Sequence, residues 1–313
     1  MLAYAIRRIL ISIPILLAVV TIVFLLIRVA PGDPATAALG DYASKSAVEA
    51  LRERMGLNDP LYIQYVKFIY GLIKGDFGES LITSKSVASQ IKYVLPYTLE
   101  LTAAGIIIGA IFGIPLGILT ALKRNTSIDY IGRIFSLGGL SVPAFYLGII
   151  LLFIFAVKLD IFPVVGGGDL SNFKDNLTHL VLPALTLGLI MTAYVTRMAR
   201  SSILNVLNED YIRTAKAKGL TRRVVIYKHA LKNALIPILA VIGVYSIVLI
   251  GSSVMTEIVF SRPGLGKMMV GAMKQRDYIT LQSILVIYAT FVVIINLITD
   301  LAYGLIDPRI RYG

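Results

Sequence analysis

The chain of 313 residues contains six apolar runs, each long enough to cross the hydrocarbon core of a bilayer. A helix needs about 20 predominantly apolar residues for that crossing. The runs lie near 9–29, 98–122, 134–157, 180–198, 234–258 and 280–306. Lipid offers no hydrogen bonds, so a spanning backbone must satisfy its own N–H and C=O groups, and runs of this length fold as helices. The expected fold is therefore an all-α membrane protein of six transmembrane helices, with a long outer loop between helices 1 and 2. Composition agrees: mean hydropathy is +0.81 and 15% of residues are charged, against about 25% in a soluble domain. The first run follows Arg7 and Arg8, as a signal peptide would. Its apolar part is longer than the usual h-region of about 7–15 residues, and no small-residue cleavage site is obvious after it, so it reads as a retained span.

Charge orients the spans. With the N-terminus inside, the inner segments hold 16 basic residues against four acidic ones, and the outer segments 14 against 12. The positive-inside rule then puts both termini and the 200–232 loop in the cytoplasm. The basic balance needs no nucleic acid to explain it, and the inner charge favours contact with anionic lipid headgroups. Glu100 and Asp300 are the acids at span edges, the first outer and the second inner.

Between the fourth and fifth runs lies the most charged segment, Asn208-Glu-Asp-Tyr-Ile-Arg-Thr-Ala-Lys-Ala-Lys-Gly219. Asn208 can cap a helix here, with Glu209 and Asp210 in its first turn, where the helix dipole favours acids. Lys216 and Lys218 fall in the last turn, and Gly219 supplies the left-handed stop. Thr221 can cap a following helix. Such a helix, held between two spans, offers a surface to a soluble partner; an ordinary basic inner loop is the alternative. The 30–96 loop balances seven basic and seven acidic residues and reads as a small folded cap. Ser46-x-x-Glu49 is a capping-box pattern for a short helix that Gly56 could end. Pro60 suits the start of another, on which Tyr62, Tyr65, Val66, Ile69, Tyr70 and Ile73 recur at helical spacing. That stripe either packs on the spans, the favoured reading, or lies on the membrane surface. The organisation is thus 1–97, a first span plus cap, and 98–313, a five-helix core with the 200–232 loop.

Gly105, Gly109, Gly113 and Gly117 recur every fourth residue in the second span and draw a flat stripe for close helix packing. Pro115 interrupts that helix. Pro143, Pro183, Pro237, Gly138-Gly139 and Gly251-Ser252-Ser253 are further devices that serve packing or, as in transporters, bend helices beside a pathway. Enzyme signals are missing. The chain has no cysteine and only His179 and His229, too few for a histidine metal cage. Pro263-Gly-Leu-Gly-Lys267 resembles part of a phosphate loop, yet Ser261 stands where its first glycine belongs and Met268 where Ser or Thr belongs. With no catalytic constellation, the chain is expected to be a non-catalytic membrane subunit that binds no cofactor.

Ordered motifs along the whole length resemble the membrane permeases of dipeptide/oligopeptide-class bacterial ABC importers. They are Arg7-Arg8, Ala30-Pro-Gly-Asp-Pro34, Met55-Gly-Leu-Asn-Asp-Pro-Leu, Gln64-Tyr and Gly75-Asp-Phe-Gly-Glu-Ser80. Ser141-Val-Pro-Ala-Phe, His179-Leu-Val-Leu-Pro-Ala-Leu, the 210–219 segment and His229-Ala-Leu-Lys-Asn-Ala-Leu-Ile-Pro237 follow. Glu257-x-Val-Phe-Ser-Arg-Pro-Gly-Leu-Gly266, Arg276-Asp-Tyr and Asp307-Pro-Arg complete the series. The resemblance implies a type I importer permease fold in the bacterial inner membrane and half of a translocation pathway for peptides or a related small solute. It implies four partners: a second homologous permease, two ATP-binding subunits that hold the ATP and Mg, and an extracytoplasmic substrate-binding protein. Glu209, Asp210, Tyr211, Arg213, Thr214, Ala215, Lys216, Lys218 and Gly219 would form the ATPase-coupling segment, with the Tyr211, Thr214, Ala215, Lys218 side inserted into the partner. The general importer pattern starts Glu-Ala-Ala, where this chain has Arg213-Thr214-Ala215. Its later Leu-Pro is also absent, since Lys232 follows Leu231. The Ser261, Arg262, Pro263, Gly264, Leu265, Gly266 turn would protrude toward the binding protein, unless it is a plain turn. An ATPase-independent secondary transporter or channel subunit is the alternative, and a structural assembly factor a third class. The first usually places ionisable residues in mid-membrane, which this chain almost lacks.

Overall fold

The computed structural model describes residues 2–29, 34–40 and 43–306, and every regular element among them is helical. Residues 30–33 of the Ala-Pro-Gly-Asp motif and the terminal Asp307-Pro-Arg lie outside that set. In chain order the helices are α1 (Leu2–Val29), α2 (Pro34–Leu39), α3 (Lys45–Arg54), α4 (Leu61–Lys74), α5 (Val87–Leu122), α6 (Ser127–Ser141) and α7 (Ala144–Leu151, continued as a π-helical stretch Leu152–Lys158). There follow α8 (Phe173–Leu207), α9 (Asp210–Ala217), α10 (Arg222–Val224, continued as a π-helical stretch Val225–Ala230), α11 (Leu231–Val259), α12 (Leu265–Gln275) and α13 (Tyr278–Ile306). The chain falls into two compact units, one of 10–96 with 264–293, the other of 1–9, 97–263 and 294–313. Residues 264–293 thus pack with the cap, not with the five-helix core expected for them. They follow their side chains: Leu265 of α12 and Ile284 of α13 are fully buried against Val87 and Ile91.

Within the cap unit, α3 is capped by Ser44, whose hydroxyl accepts from the Ala47 N–H, rather than by Ser46. Glu49 turns instead to the Asn58 side chain. Gly56 does end the helix, at φ +65°, with the Leu57 N–H reaching back to the Arg52 carbonyl. The α4 stripe divides. Ile69, with Phe68 and Leu72, packs on Val20 and Val23 of α1, and Tyr65 sets its ring edge-on to Phe24. Tyr62, Val66, Tyr70 and Ile73 stay exposed. A helix buries one face, and the six-residue stripe is wider than the contact.

The core unit is organised by α5 and α8. Each stripe glycine of α5 faces a residue of α8: Gly105 Leu187, Gly109 Met191, Gly113 Val195 and Gly117 Ala199. A Cβ on Gly109 would come within 2.1 Å of Met191 Cγ, and one on Gly117 within 2.4 Å of Ala199 Cβ. Gly188 returns the contact, leaving room for Ile108. Both sets of positions climb in steps of four in the same direction, so the two helices run parallel with backbones nearly touching. Dispersion and close packing hold helices together where lipid removes the hydrophobic drive. The expected interruption at Pro115 does not occur; α5 runs unbroken through Pro96 and Pro115. One proline removes a single backbone bond, and packed neighbours in a membrane tolerate that loss.

The third apolar run departs most from expectation. It is two helices, α6 and α7, bent by 104° at Val142-Pro143. Pro143 has no N–H and pushes Val142 into extended backbone, ψ 123°. The pair still crosses the unit. Gly132 of α6 sits against Thr120 near the end of α5, whereas the segment after α7 places the Gly168 carbonyl on the Tyr97 hydroxyl near its start. From Tyr97 to Thr120 the helix rises about 35 Å, roughly the hydrocarbon thickness of a bilayer. The bent pair is therefore one broken span, and the count of six stands with five unbroken helices. Arg8 and Asp300 pair at 2.9 Å, bringing the start of α1 to the end of α13.

Replacing Gly109 by Leu forces a branched side chain into this seam and should lower stability by about 3 kcal/mol. At Gly251 an added Cβ would meet nothing within 4 Å, so this position should accept Ala with no loss. Thermal unfolding of the detergent-solubilised chain measures both; equal melting of Gly109→Leu and the parent would mean the seam is not tight.

Candidate functional site

Three features are candidates for function. The first is α9. Its N-cap is Glu209, in extended backbone, and Asn208 instead closes α8. The expected Asn208 cap fails because α8 runs on to Leu207, leaving Asn208 to make the turn between the helices. Arg213 bonds Asp210 one turn back at 3.2 Å, and the Thr214 hydroxyl donates to the Asp210 carbonyl. Gly219 stops the segment at φ +73°, with open space about it. α9 is two turns long, too short to stand alone in water. It is held by Ile212 and Ala215, buried in the cluster that contains Ile203 of α8 and Val225, Ile226 and Ala230 after α10. The Asn233 amide donates to the Tyr211 hydroxyl at 2.6 Å.

This anchoring bears on the side of the helix expected to enter a partner. Ala215 is 6% exposed and lies against the chain's own core, so it is not free to meet a partner. Glu209, Asp210, Tyr211, Arg213, Thr214, Lys216, Ala217 and Lys218 are exposed, so of the expected Tyr211, Thr214, Ala215, Lys218 side only Ala215 turns inward. Hydropathy explains the turn of the helix: Ile212 and Ala215, three apart, are its apolar pair, and they go inward.

The second feature is the 261–266 turn, which does not protrude. Arg262 and Leu265 are fully buried, and Gly264 and Gly266 are buried as well. The Arg262 guanidinium ion-pairs with Glu100 in the first half of α5, donates to the Gly167 carbonyl at 3.1 Å, and lies over the Tyr97 ring. Asn176 of α8 donates to Glu100 from its other side, at 2.8 Å. Nearby, Glu257 accepts from the Thr98 hydroxyl at 2.7 Å, both residues being buried. Burial pushes the Arg262 guanidinium below its ordinary pKa, and Glu100 opposes the shift. A buried guanidinium needs such partners, since removing one side of the pair costs about 3–5 kcal/mol. Turn residues carry no sign of direction, so Arg-Pro-Gly reads as a tip; the arginine draws it inward.

The third feature escapes the sequence. At the α6–α7 break lies a cavity of about 260 Å³. Gly139, Ser141 and Pro143 line it from the break, Tyr194 from α8, and Tyr245 and Ser252 from α11. The Tyr194 and Tyr245 rings stack with centroids 3.5 Å apart. Pro143 leaves the Gly139 carbonyl without its helical donor, and the first N–H groups of α7 begin a new helix without a side-chain cap. Non-helical backbone at membrane depth occurs where it lines a cavity. Its lining offers hydroxyls, backbone groups and apolar surface, with no Lys, Arg, Asp or Glu. Pro143 after Gly138-Gly139 is the legible signal; the tyrosines, alone in apolar runs, give none. Among the described residues no group of three or more His, Asp or Glu is placed to hold a metal ion.

Comparison with known proteins shows the family of the chain. Residues 113–312 match the family described as binding-protein-dependent transport system inner membrane component, and 1–102 match the N-terminal family of the same membrane component. The chain is 42% identical over 333 residues to the dipeptide transport system permease protein DppB of Alkalihalophilus pseudofirmus, with all of both chains covered. It is 42% identical over 316 residues to the oligopeptide transport system permease protein AppB of Bacillus subtilis, again covering both in full. The glutathione transport system permease protein GsiC of Escherichia coli is 39% identical over 312 residues, likewise at full coverage. In fold, the chain is similar to a solved MetNI methionine ABC transporter in an inward facing conformation, with TM-score 0.55 and 19% identity over 70% of this chain and 96% of that one. The chain belongs to the family of binding-protein-dependent transport system inner membrane components.

Proposed function

We propose that this chain forms half of a translocation pathway for peptides or a related small solute. It is a permease subunit of an ABC importer, a multi-pass inner-membrane protein without catalysis of its own. Peptides are the favoured substrate class because the relatives at 42% identity are dipeptide and oligopeptide permeases. The cavity supports the choice: hydroxyls and free backbone groups suit an amide-rich solute, and a lining without ionised side chains does not select among substrate charges.

The observation that carries the coupling role is α9, anchored by Ile212 and Ala215 yet open on its charged side. A segment packed into the core that contains α8 and α11 can pass a partner's movement to the spans lining the cavity. Two ATP-binding subunits, with ATP and Mg, would dock on Glu209, Asp210, Arg213, Thr214, Lys216 and Lys218. Tyr211 would orient α9 through Asn233, and Gly219 would let the partner approach. A second permease would complete the pathway. The substrate-binding protein would meet the opposite face, where the Arg262 turn acts as an internal brace beneath the surface, not as a probe. The charge distribution supports cytoplasmic termini.

Reversing the charge of Arg213 and Lys216 together, both to Glu, should weaken docking by about 2 kcal/mol, or about 30-fold. ATP hydrolysis stimulated by the binding protein, and uptake into vesicles, should fall together while the chain still inserts. Full activity of the variant would sink the docking assignment. Ala215→Glu would not serve, because it disrupts the chain's own core.

Topology is testable on a clean background, since the chain has no cysteine. A cysteine at exposed Asp169 should react with an impermeant maleimide in intact cells, and one at Lys216 only after permeabilisation. The reverse pattern would invert the orientation.

A further inference from the structure

We infer that the pocket between α6 and α8 at the Asp129 end is a site for one phosphate group, that of an anionic phospholipid headgroup. Arg133 on α6 and Arg197 and Arg200 on α8 line a pocket of about 260 Å³, together with Ser136 and Ser201. One acid stands beside the three guanidiniums. Asp129 is fully buried and engages Arg200 through two bonds, Nε to Oδ1 at 2.6 Å and Nη2 to Oδ2 at 2.9 Å. The Asn125 N–H adds a third bond to it. The carboxylate is thus committed, and the pocket keeps a surplus of positive charge.

Arg133, its side chain 42% exposed, has one nitrogen that the chain itself does not satisfy. It lies over the Tyr130 ring at 4.5 Å and stands 3.8 Å from Asp129, too far for a hydrogen bond. Its Nε is buried and has no hydrogen-bond partner. A buried, unpaired guanidinium N–H is uncommon and calls for an acceptor. Arg197 is exposed at the rim. Guanidinium forks match phosphate oxygens two at a time; the Ser136 hydroxyl is spent on the Gly132 carbonyl at 2.8 Å, which leaves Ser201 to add a hydroxyl donor to the same volume.

The surroundings favour a lipid over free phosphate. The pocket lies near the start of α6 and the last turns of α8, at the bundle end where the basic residues gather, and basic pockets between spans at that level take anionic headgroups. Beside it on α6, Ile131, Ile134 and Leu137 are exposed at 66%, 70% and 59%, an apolar strip along which acyl chains can lie. The site differs from diffuse attraction to a charged surface because three named side chains converge on one volume.

The test uses the full-length chain, purified with the subunits that accompany it, in nanodiscs of phosphatidylcholine doped with phosphatidylglycerol. Native mass spectrometry of the released complex reads the retained lipid. Phosphatidylglycerol should be retained at least tenfold over phosphatidylcholine, and Arg133→Gln with Arg197→Gln should abolish that preference. Should the double variant fold poorly, Arg197→Gln alone, at the exposed rim and outside the Asp129 network, should still reduce it severalfold. Equal retention of both lipids by the parent chain, or an unchanged preference in the folded variants, would overturn the proposal. So would protection against thermal unfolding by millimolar inorganic phosphate with no lipid preference, which would reassign the site to free phosphate. A pocket that retains no lipid because a protein subunit covers it would overturn it too.

Discussion

Close approach of α5 and α8 is the contact on which the core unit depends. Four glycines at four-residue spacing remove every side chain from one face of α5, and Leu187, Met191, Val195 and Ala199 fill the space. Two parallel backbones in such contact cannot slide without clash, so their register is set. Everything of functional interest in this unit hangs from that pair. In the first half of α5, Glu100 receives Arg262 and the Asn176 amide. Near the far end of α8, Arg200 holds Asp129 and with it the first turn of α6. Between these levels the broken span opens a cavity against Tyr194 and Tyr245.

Packing also explains how a helix of only two turns keeps its place. α9 follows directly from α8, and its two apolar side chains drop into the cluster shared with α8 and α11. That cluster joins it to α8, one wall of the cavity, and to α11, which carries Tyr245. On the coupling role proposed for α9, its charged side would be a handle joined to the helices that line that cavity.

Much of this is legible in the residues, and the failures have physical causes. Apolar length gives the spans, because lipid imposes one solution on the backbone. Glycine spacing shows the seam face, since a period of four lays small residues along one side of a helix, but not the partner helix. The bend at Val142-Pro143 is hidden because hydropathy is continuous through it, and a proline states that a bond is lost, not the angle that results. Pro115 shows the converse, an equal signal with no break. The face of α9 is misjudged when small Ala215 is taken as space for a partner; beside Ile212 it serves the chain's own core. Arg262 is misplaced because its acceptors, Glu100 and the Gly167 carbonyl, are remote in sequence, 162 and 95 positions away. Tertiary pairing of that kind leaves no local trace.

Site-specific photocrosslinking in intact cells asks most directly whether α9 presents its charged side to a soluble ATPase while its apolar side belongs to this chain. A benzophenone amino acid is placed at Arg213 or, one residue earlier, at Ile212. An adduct with the nucleotide-binding subunit is expected from position 213 and none from position 212. An adduct from 212 with none from 213 would contradict the assignment.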